Sequence, residues 1–161
     1  GVPTLFTTAF AERQELIQEV QGVDPDQKPI DRTGLNSWDD ERIRDWVKAT
    51  GKMKLVMAGL WTEVCLTMPV LSALAAGHEL YIVTDASGGS SDEGHERAVQ
   101  RMIQAGARPL TVAAYVSELQ RDWGRTETAE AVAGLFAQHG GGFGQGLRWE
   151  WQLLALKEGT R

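Results

Sequence analysis

Lys54-Leu-Val-Met-Ala-Gly-Leu-Trp-Thr-Glu-Val-Cys-Leu-Thr67 is the stretch around which the rest of the chain is arranged. Its apolar run, Leu55 to Ala58, is too short for a helix and lies between the Gly51-Lys52 turn and Gly59, which predicts a buried strand. Thr62 then stands where a helix N-cap belongs, with an acid just after it at Glu63. Cys65, the only cysteine in the chain, falls three residues past that cap. In a first helical turn, unpaired backbone N–H groups and the positive end of the helix dipole converge. Such surroundings favour the thiolate, the nucleophilic form of cysteine. A lone cysteine is equally able to serve as a small buried hydrophobe. Its place after a strand favours function, since α/β proteins keep their sites at the carboxyl ends of parallel strands. Spacing alone leaves both readings open.

Outward from this stretch, strands and helices alternate. Pro69 lacks an N–H and predicts a kink that leaves a carbonyl near Cys65 without its usual partner. The helix resumes with Leu71, Leu74 and Ala75 on one face and stops at Gly77. Leu80 to Thr84 predicts a strand, Ser90 to Ala105 a helix with an acidic start, Pro109 to Ala114 a strand, and Val116 to Trp123 a helix. Toward the N-terminus, Gly1 to Thr8 predicts a turn and a buried strand, Glu12 to Val20 a weakly amphipathic helix, and Gly22 to Pro29 a polar loop. Ile30 to Arg32 predicts a short strand, and Ser37 or Asp39 caps a helix running to Thr50. Alternation at this pitch predicts an α/β fold with a parallel sheet.

The C-terminal stretch has another texture. Thr126 to His139 predicts a helix, Gly140 to Gly146 a flexible joint, and Leu147 to Lys157 a last helix carrying Trp149 and Trp151. The expected division is therefore a domain over 1–125 and a helical extension over 126–161. Two tryptophans on a short terminal helix favour docking on a neighbouring subunit over packing on their own chain.

Composition bounds the remaining classes. At 161 residues this is one domain's worth of chain, and a formal net charge of −6 argues against a nucleic-acid surface. No apolar run reaches the length of a membrane span, and a single cysteine rules out an intrachain disulfide framework. A cytoplasmic setting is the expectation. His78, His95 and His139 lack metal-ligand spacing, so surface or capping roles are expected for them and no metal. Asp85, at a strand end, is expected to cap the Ser87-Gly88-Gly89 turn.

Ala58-Gly-Leu-Trp-Thr-Glu-Val-Cys65 resembles the nucleophile motif of the isochorismatase-like cysteine hydrolases, in which Gly, two variable residues, Thr, an acid, a variable residue and Cys follow a central strand. The resemblance continues through Ala73-Leu-Ala-Ala-Gly77, Val83-Thr-Asp-Ala-Ser87 and Ala105-Gly-Ala107. Asn36-Ser-Trp-Asp39 and Glu118-Leu-Gln-Arg-Asp-Trp123 are similar to the YcaC-like branch. The resemblance implies a Rossmann-like three-layer α/β/α sandwich, no cofactor, a small-molecule substrate and a closed homo-oligomer, octameric in that branch.

It also implies roles for single residues. The family uses a triad of Asp, Lys and Cys, and Cys65 matches the nucleophile. Arg32 aligns with the lysine, a substitution the YcaC-like branch tolerates, and Lys28 is the nearby rival. Arginine keeps the positive charge but does not exchange protons near neutral pH. The backbone N–H groups of Trp61 and Cys65 fall where the family forms its oxyanion hole, and the Leu60–Trp61 bond where it keeps a non-proline cis peptide. Phe10 and Trp38 are the residues expected to line a substrate pocket. The family's Asp closes a first strand that precedes the segment matched by Gly1 to Thr8, so it has no counterpart among these 161 residues. A longer parent chain, or an assembly, is the expected source of the contacts that strand makes.

Two functions follow from different classes. One is a cysteine hydrolase cutting an amide or related carbon–nitrogen bond through an acyl-enzyme intermediate. The other is a catalytically idle assembly subunit. A dinucleotide-binding domain is disfavoured because no Gly-rich fingerprint follows a first strand.

Overall fold

The apolar run at the centre of the sequence forms β3 (Lys54–Met57), which pairs in parallel with β4 (Glu79–Val83), Leu55 opposite Leu80 and Met57 opposite Ile82. β4 in turn pairs in parallel with β5 (Arg108–Leu110), so it lies in the middle of the order β3–β4–β5. Pro109 is tolerated in β5 because an outer strand can spare a ladder N–H. A second parallel ladder joins β1 (Thr7–Ala9) to β2 (Ile30–Arg32), with Ala9 opposite Arg32. The computed structural model describes residues 1–158. Among them no ladder joins the two sheets. The chain forms two compact units, Gly1–Leu110 and the segment from Thr111 onward.

In the first unit, helices cover the three-stranded sheet. α2 (Glu41–Thr50) contributes buried Val47, α3 (Thr67–Ala75) contributes Val70 and Ala73, and α4 (Asp92–Gln104) contributes Met102. These meet Leu80 and Ile82 of β4 in one apolar cluster. Fully burying the Val, Leu, Ile and Met side chains among them stabilises the unit by about 1.5–3 kcal/mol apiece. The parallel-sheet α/β fold is the expected one.

Several boundaries differ from the sequence-based expectation, each for a local reason. Helix α1 covers only Gln18–Gln21, because Phe10 adopts φ 64° and its carbonyl is taken by the amides of Arg13 and Gln14. Asn36 caps a short 3-10 turn (Ser37–Asp39), and Asp40, not Ser37 or Asp39, caps α2 by accepting from the Arg42 amide. β5 stops at Leu110 because the Thr111 hydroxyl caps the next helix, accepting from Ala114 N. Pro69 lies in the first turn of α3, where its missing N–H costs little. The break expected there falls before it, as a π-helical turn (Thr62–Leu66) that gives way to α3 at Thr67.

The second unit holds α5 (Val112–Gln120), α6 (Thr126–His139) and α7 (Gly141–Glu158). The expected division at 125 would separate α5 from α6, yet buried Gln120 ties them together. Its amide donates to the Asp122 and Arg125 carbonyls at 2.9 and 3.1 Å and accepts from the Thr128 hydroxyl at 2.7 Å. The glycine-rich stretch is a helix start and not a flexible joint. Gly140 ends α6, and a Cβ on Gly144 would collide with the Phe136 carbonyl oxygen, so glycine lets α7 turn tightly onto α6. Phe136 and Phe143 close this corner edge to face, with centroids 6.0 Å apart. Trp149 and Trp151 are exposed on α7.

Candidate active site

Past β3 the backbone makes a sharp sequence of turns. Gly59 adopts φ 141°, which favours glycine, and the Leu60–Trp61 peptide bond is cis. The π-helical turn then begins, and the Trp61 carbonyl accepts from both Val64 N at 3.0 Å and Leu66 N at 3.2 Å. The Thr67 hydroxyl donates to the Thr62 carbonyl at 2.6 Å, a second donor beside the Thr67 amide where π geometry gives way to α. Cys65 rides on this turn, half-buried.

The turn faces a cleft of about 510 Å³. One wall is built by the β1 segment and Arg32 at the end of β2, and the other by Ala58–Trp61, Cys65 and the Asp85–Gly88 loop after β4. The two parallel ladders thus bring Arg32 and Cys65, 33 positions apart in sequence, to one cavity. Arg32 is buried, and one of its terminal nitrogens donates to the carbonyls of Gly34 and, at 3.2 Å, Leu35. Its Nε is buried without a hydrogen-bond partner. A guanidinium N–H withheld from water costs free energy until an acceptor reaches it. Lys28 is exposed and does not line the cleft.

Other expected residues fall elsewhere. Trp38 is buried in the apolar cluster, with its ring edge to face against His78 at 5.2 Å, because the 3-10 turn aims it inward toward α3. Phe10 projects from its positive-φ turn and is exposed. Neither lines the cleft. Asp85 does line it. Among the described residues, no cluster of three or more His, Cys, Asp or Glu could hold a metal ion, and no helix is long and apolar enough to cross a membrane.

Thr62 does not act as the expected cap. Trp61 occupies the cap position without a side-chain bond, and Thr62 is fully buried. Its amide donates to the Gly88 carbonyl at 2.9 Å, and its hydroxyl pairs with His95 Nδ1 at 2.9 Å. Glu63 reaches the same region. Its Oε1 accepts from the Ser90 amide at 2.8 Å and from the Ser90 hydroxyl. That hydroxyl, foremost, holds the Glu63 carboxyl below its ordinary value of 4.5, with backbone amides and the nearby His95 adding to it. Sequence reasoning missed His95 and Ser90, having given the histidines surface or capping roles. The available signal was topological, since parallel neighbours β3 and β4 deliver their following segments side by side.

The segment from residue 5 to 114 matches the isochorismatase domain model. The chain belongs to the isochorismatase family. It is 40% identical over 142 residues to the probable hydrolase YcaC of Escherichia coli, covering 86% of this chain and 67% of that protein. The crystal structure of the Escherichia coli YcaC gene product, an octameric hydrolase of unknown specificity, superposes with a TM-score of 0.85 at 37% identity, covering 94% of this chain and 74% of that one. YcaC from Pseudomonas aeruginosa, solved with hexane-2,5-diol and covalent acrylamide, superposes at 0.83 with 35% identity, covering 91% of this chain and 73% of that one. The family and its YcaC-like branch are those the sequence motifs imply, and with them an isochorismatase-like hydrolase fold.

Proposed function

We propose that this isochorismatase-family chain carries the nucleophile of a cysteine hydrolase acting on an amide or related carbon–nitrogen bond of a small molecule. The observation that supports it is the shared cleft, into which Cys65 enters on a helix-starting turn opposite the buried Arg32. The Cys65 thiolate adds to the carbonyl carbon and the C=O pair moves onto oxygen. Backbone N–H groups of Trp61 and Cys65 are the proposed donors to that oxyanion. Collapse expels the amine, which takes a proton from water in the open cleft, and leaves a thioester on Cys65. Water then adds to the thioester, releasing the carboxylic acid and regenerating the thiolate. The unpartnered Nε–H of Arg32 is suited to donate to a substrate oxygen within the cleft.

The covalent acrylamide on the Pseudomonas aeruginosa relative supplies a probe. Cys65, the only cysteine, should gain one acrylamide by intact mass, and Cys65→Ser should gain none. Failure of Cys65 to react faster than a free model thiol at pH 6.5 would remove the nucleophile assignment. Labelling without turnover of any small amide would favour the idle assembly subunit instead. The octameric state of the Escherichia coli relative and the exposed Trp149 and Trp151 support a homo-oligomer here as well. A single cysteine supports a reducing, cytoplasmic setting.

A further inference from the structure

The turn that carries Cys65 is tied to another element at two consecutive residues. Thr62 bonds His95, on the first turns of α4, and Glu63 bonds Ser90, just before that helix. α4 itself begins with Ser91 as cap, its hydroxyl accepting from Gly94 N at 3.0 Å. The Glu63 carboxylate therefore lies against a helix start, where its charge is favoured. A Cβ added to Gly89 would stand 2.9 Å from Glu63 Oε2 and 2.9 Å from the His95 backbone nitrogen. Only glycine lets the two elements approach this closely.

We propose that Thr62, Glu63, His95 and Ser90 form a two-point clamp that positions Cys65 for attack. They are positioning residues, since none is offered as touching substrate. The reason is the local geometry. A π-helical turn is a rare conformation with weaker internal bonding than an α-helix, so an external anchor fixes which way its side chains project. The Thr62–His95 bond lies three residues before Cys65 and sets the rotation of the turn. The Glu63–Ser90 bonds set its distance from α4. A shift of about 1 Å at a reacting atom is enough to cost about a hundredfold in rate.

The proposal rests on Cys65 being the nucleophile, and the test separates the two. The rate of acrylamide addition to Cys65 is measured by intact mass for the wild type and for Thr62→Val, Thr62→Ser, Glu63→Ala and Gly89→Ala, with circular dichroism confirming that each is folded. Thr62→Val and Glu63→Ala, which remove the hydroxyl and the acceptor, should each slow addition about tenfold or more, while Thr62→Ser, which keeps the hydroxyl, should stay within about twofold. Gly89→Ala should slow it as well by wedging the elements apart. Val47→Ala, a core substitution on α2 away from α4 and the Cys65 turn, should leave the rate unchanged despite its loss of stability. Where Thr62→Val fails to fold, His95→Ala and Glu63→Ala carry the test, with the same slowing expected. Wild-type rates in folded Thr62→Val and Glu63→Ala would overturn the clamp while leaving the nucleophile standing. Equal slowing by Thr62→Ser and Thr62→Val would also overturn it, since the hydroxyl would then not matter. An inert wild-type Cys65 would overturn both.

Discussion

Met102 and Ile103 are consecutive on α4, yet Met102 is 0% exposed and Ile103 is 41% exposed. Truncating each to alanine separates burial from helix identity. Met102→Ala removes three heavy atoms from the cluster it forms with Val70, Ala73, Leu80 and Ile82. The lost transfer energy and the cavity left behind together cost about 2–5 kcal/mol for such a change, and a site with no exposure belongs near about 3. Ile103→Ala loses a side chain already half in water and recovers a few tenths of a kcal/mol from the better helix propensity of alanine. Its net cost should be under about 1 kcal/mol. The assay is urea unfolding followed by far-UV circular dichroism at one fixed protein concentration, because assembly would make apparent stability concentration-dependent. With slopes of about 1–3 kcal/mol per M, the Met102→Ala midpoint should fall by about 1–3 M and that of Ile103→Ala by about a third of that or less. Equal shifts for the two variants would refute the assignment of the α4 face that covers the sheet.

Acidification offers a second test. Asp31 is held below its ordinary 3.8 chiefly by the Thr8 hydroxyl and the Ala11 amide, Asp40 by Arg42, and Glu63 by Ser90. A depressed carboxylate contributes stability that is present above its unfolded value and lost as pH falls through the folded one. The thermal midpoint should therefore hold from pH 7 to about 5 and drop below about pH 4.5, with a shallower drop in Glu63→Gln. Gly144→Ala should loosen α7 from α6 at a cost of about 1–3 kcal/mol, read by faster proteolysis between the two helices. Arg32→Ala should slow acrylamide addition to Cys65, with Arg32→Lys recovering most of it; unchanged kinetics in Arg32→Ala would place the guanidinium outside the site. Light scattering should show an assembly larger than one chain, and Trp149→Glu with Trp151→Glu should weaken it.

The sequence by itself determined the strand–turn–helix around Cys65, the parallel α/β class and the family, because each is written in local patterns. A short apolar run between turn residues has few alternatives, and the spacing from Gly59 through Thr62 and Glu63 to Cys65 is a contiguous motif. Arg32 was reachable because a second motif, Asn36 to Asp39, set the alignment beside it. What the tertiary structure decided were matters that depend on neighbours distant along the chain. Phe10 and Trp38 look alike as aromatic candidates, yet a positive-φ turn exposes one and the α3 packing buries the other. Glycines from 140 to 146 read as a joint, although the Phe136 carbonyl demands glycine where a helix begins. Thr62 has the sequence of a cap but spends its hydroxyl on His95, 33 residues away, because adjacent parallel strands place their following segments side by side. Local propensity sets which conformations a segment can adopt, and the partner across the sheet selects among them.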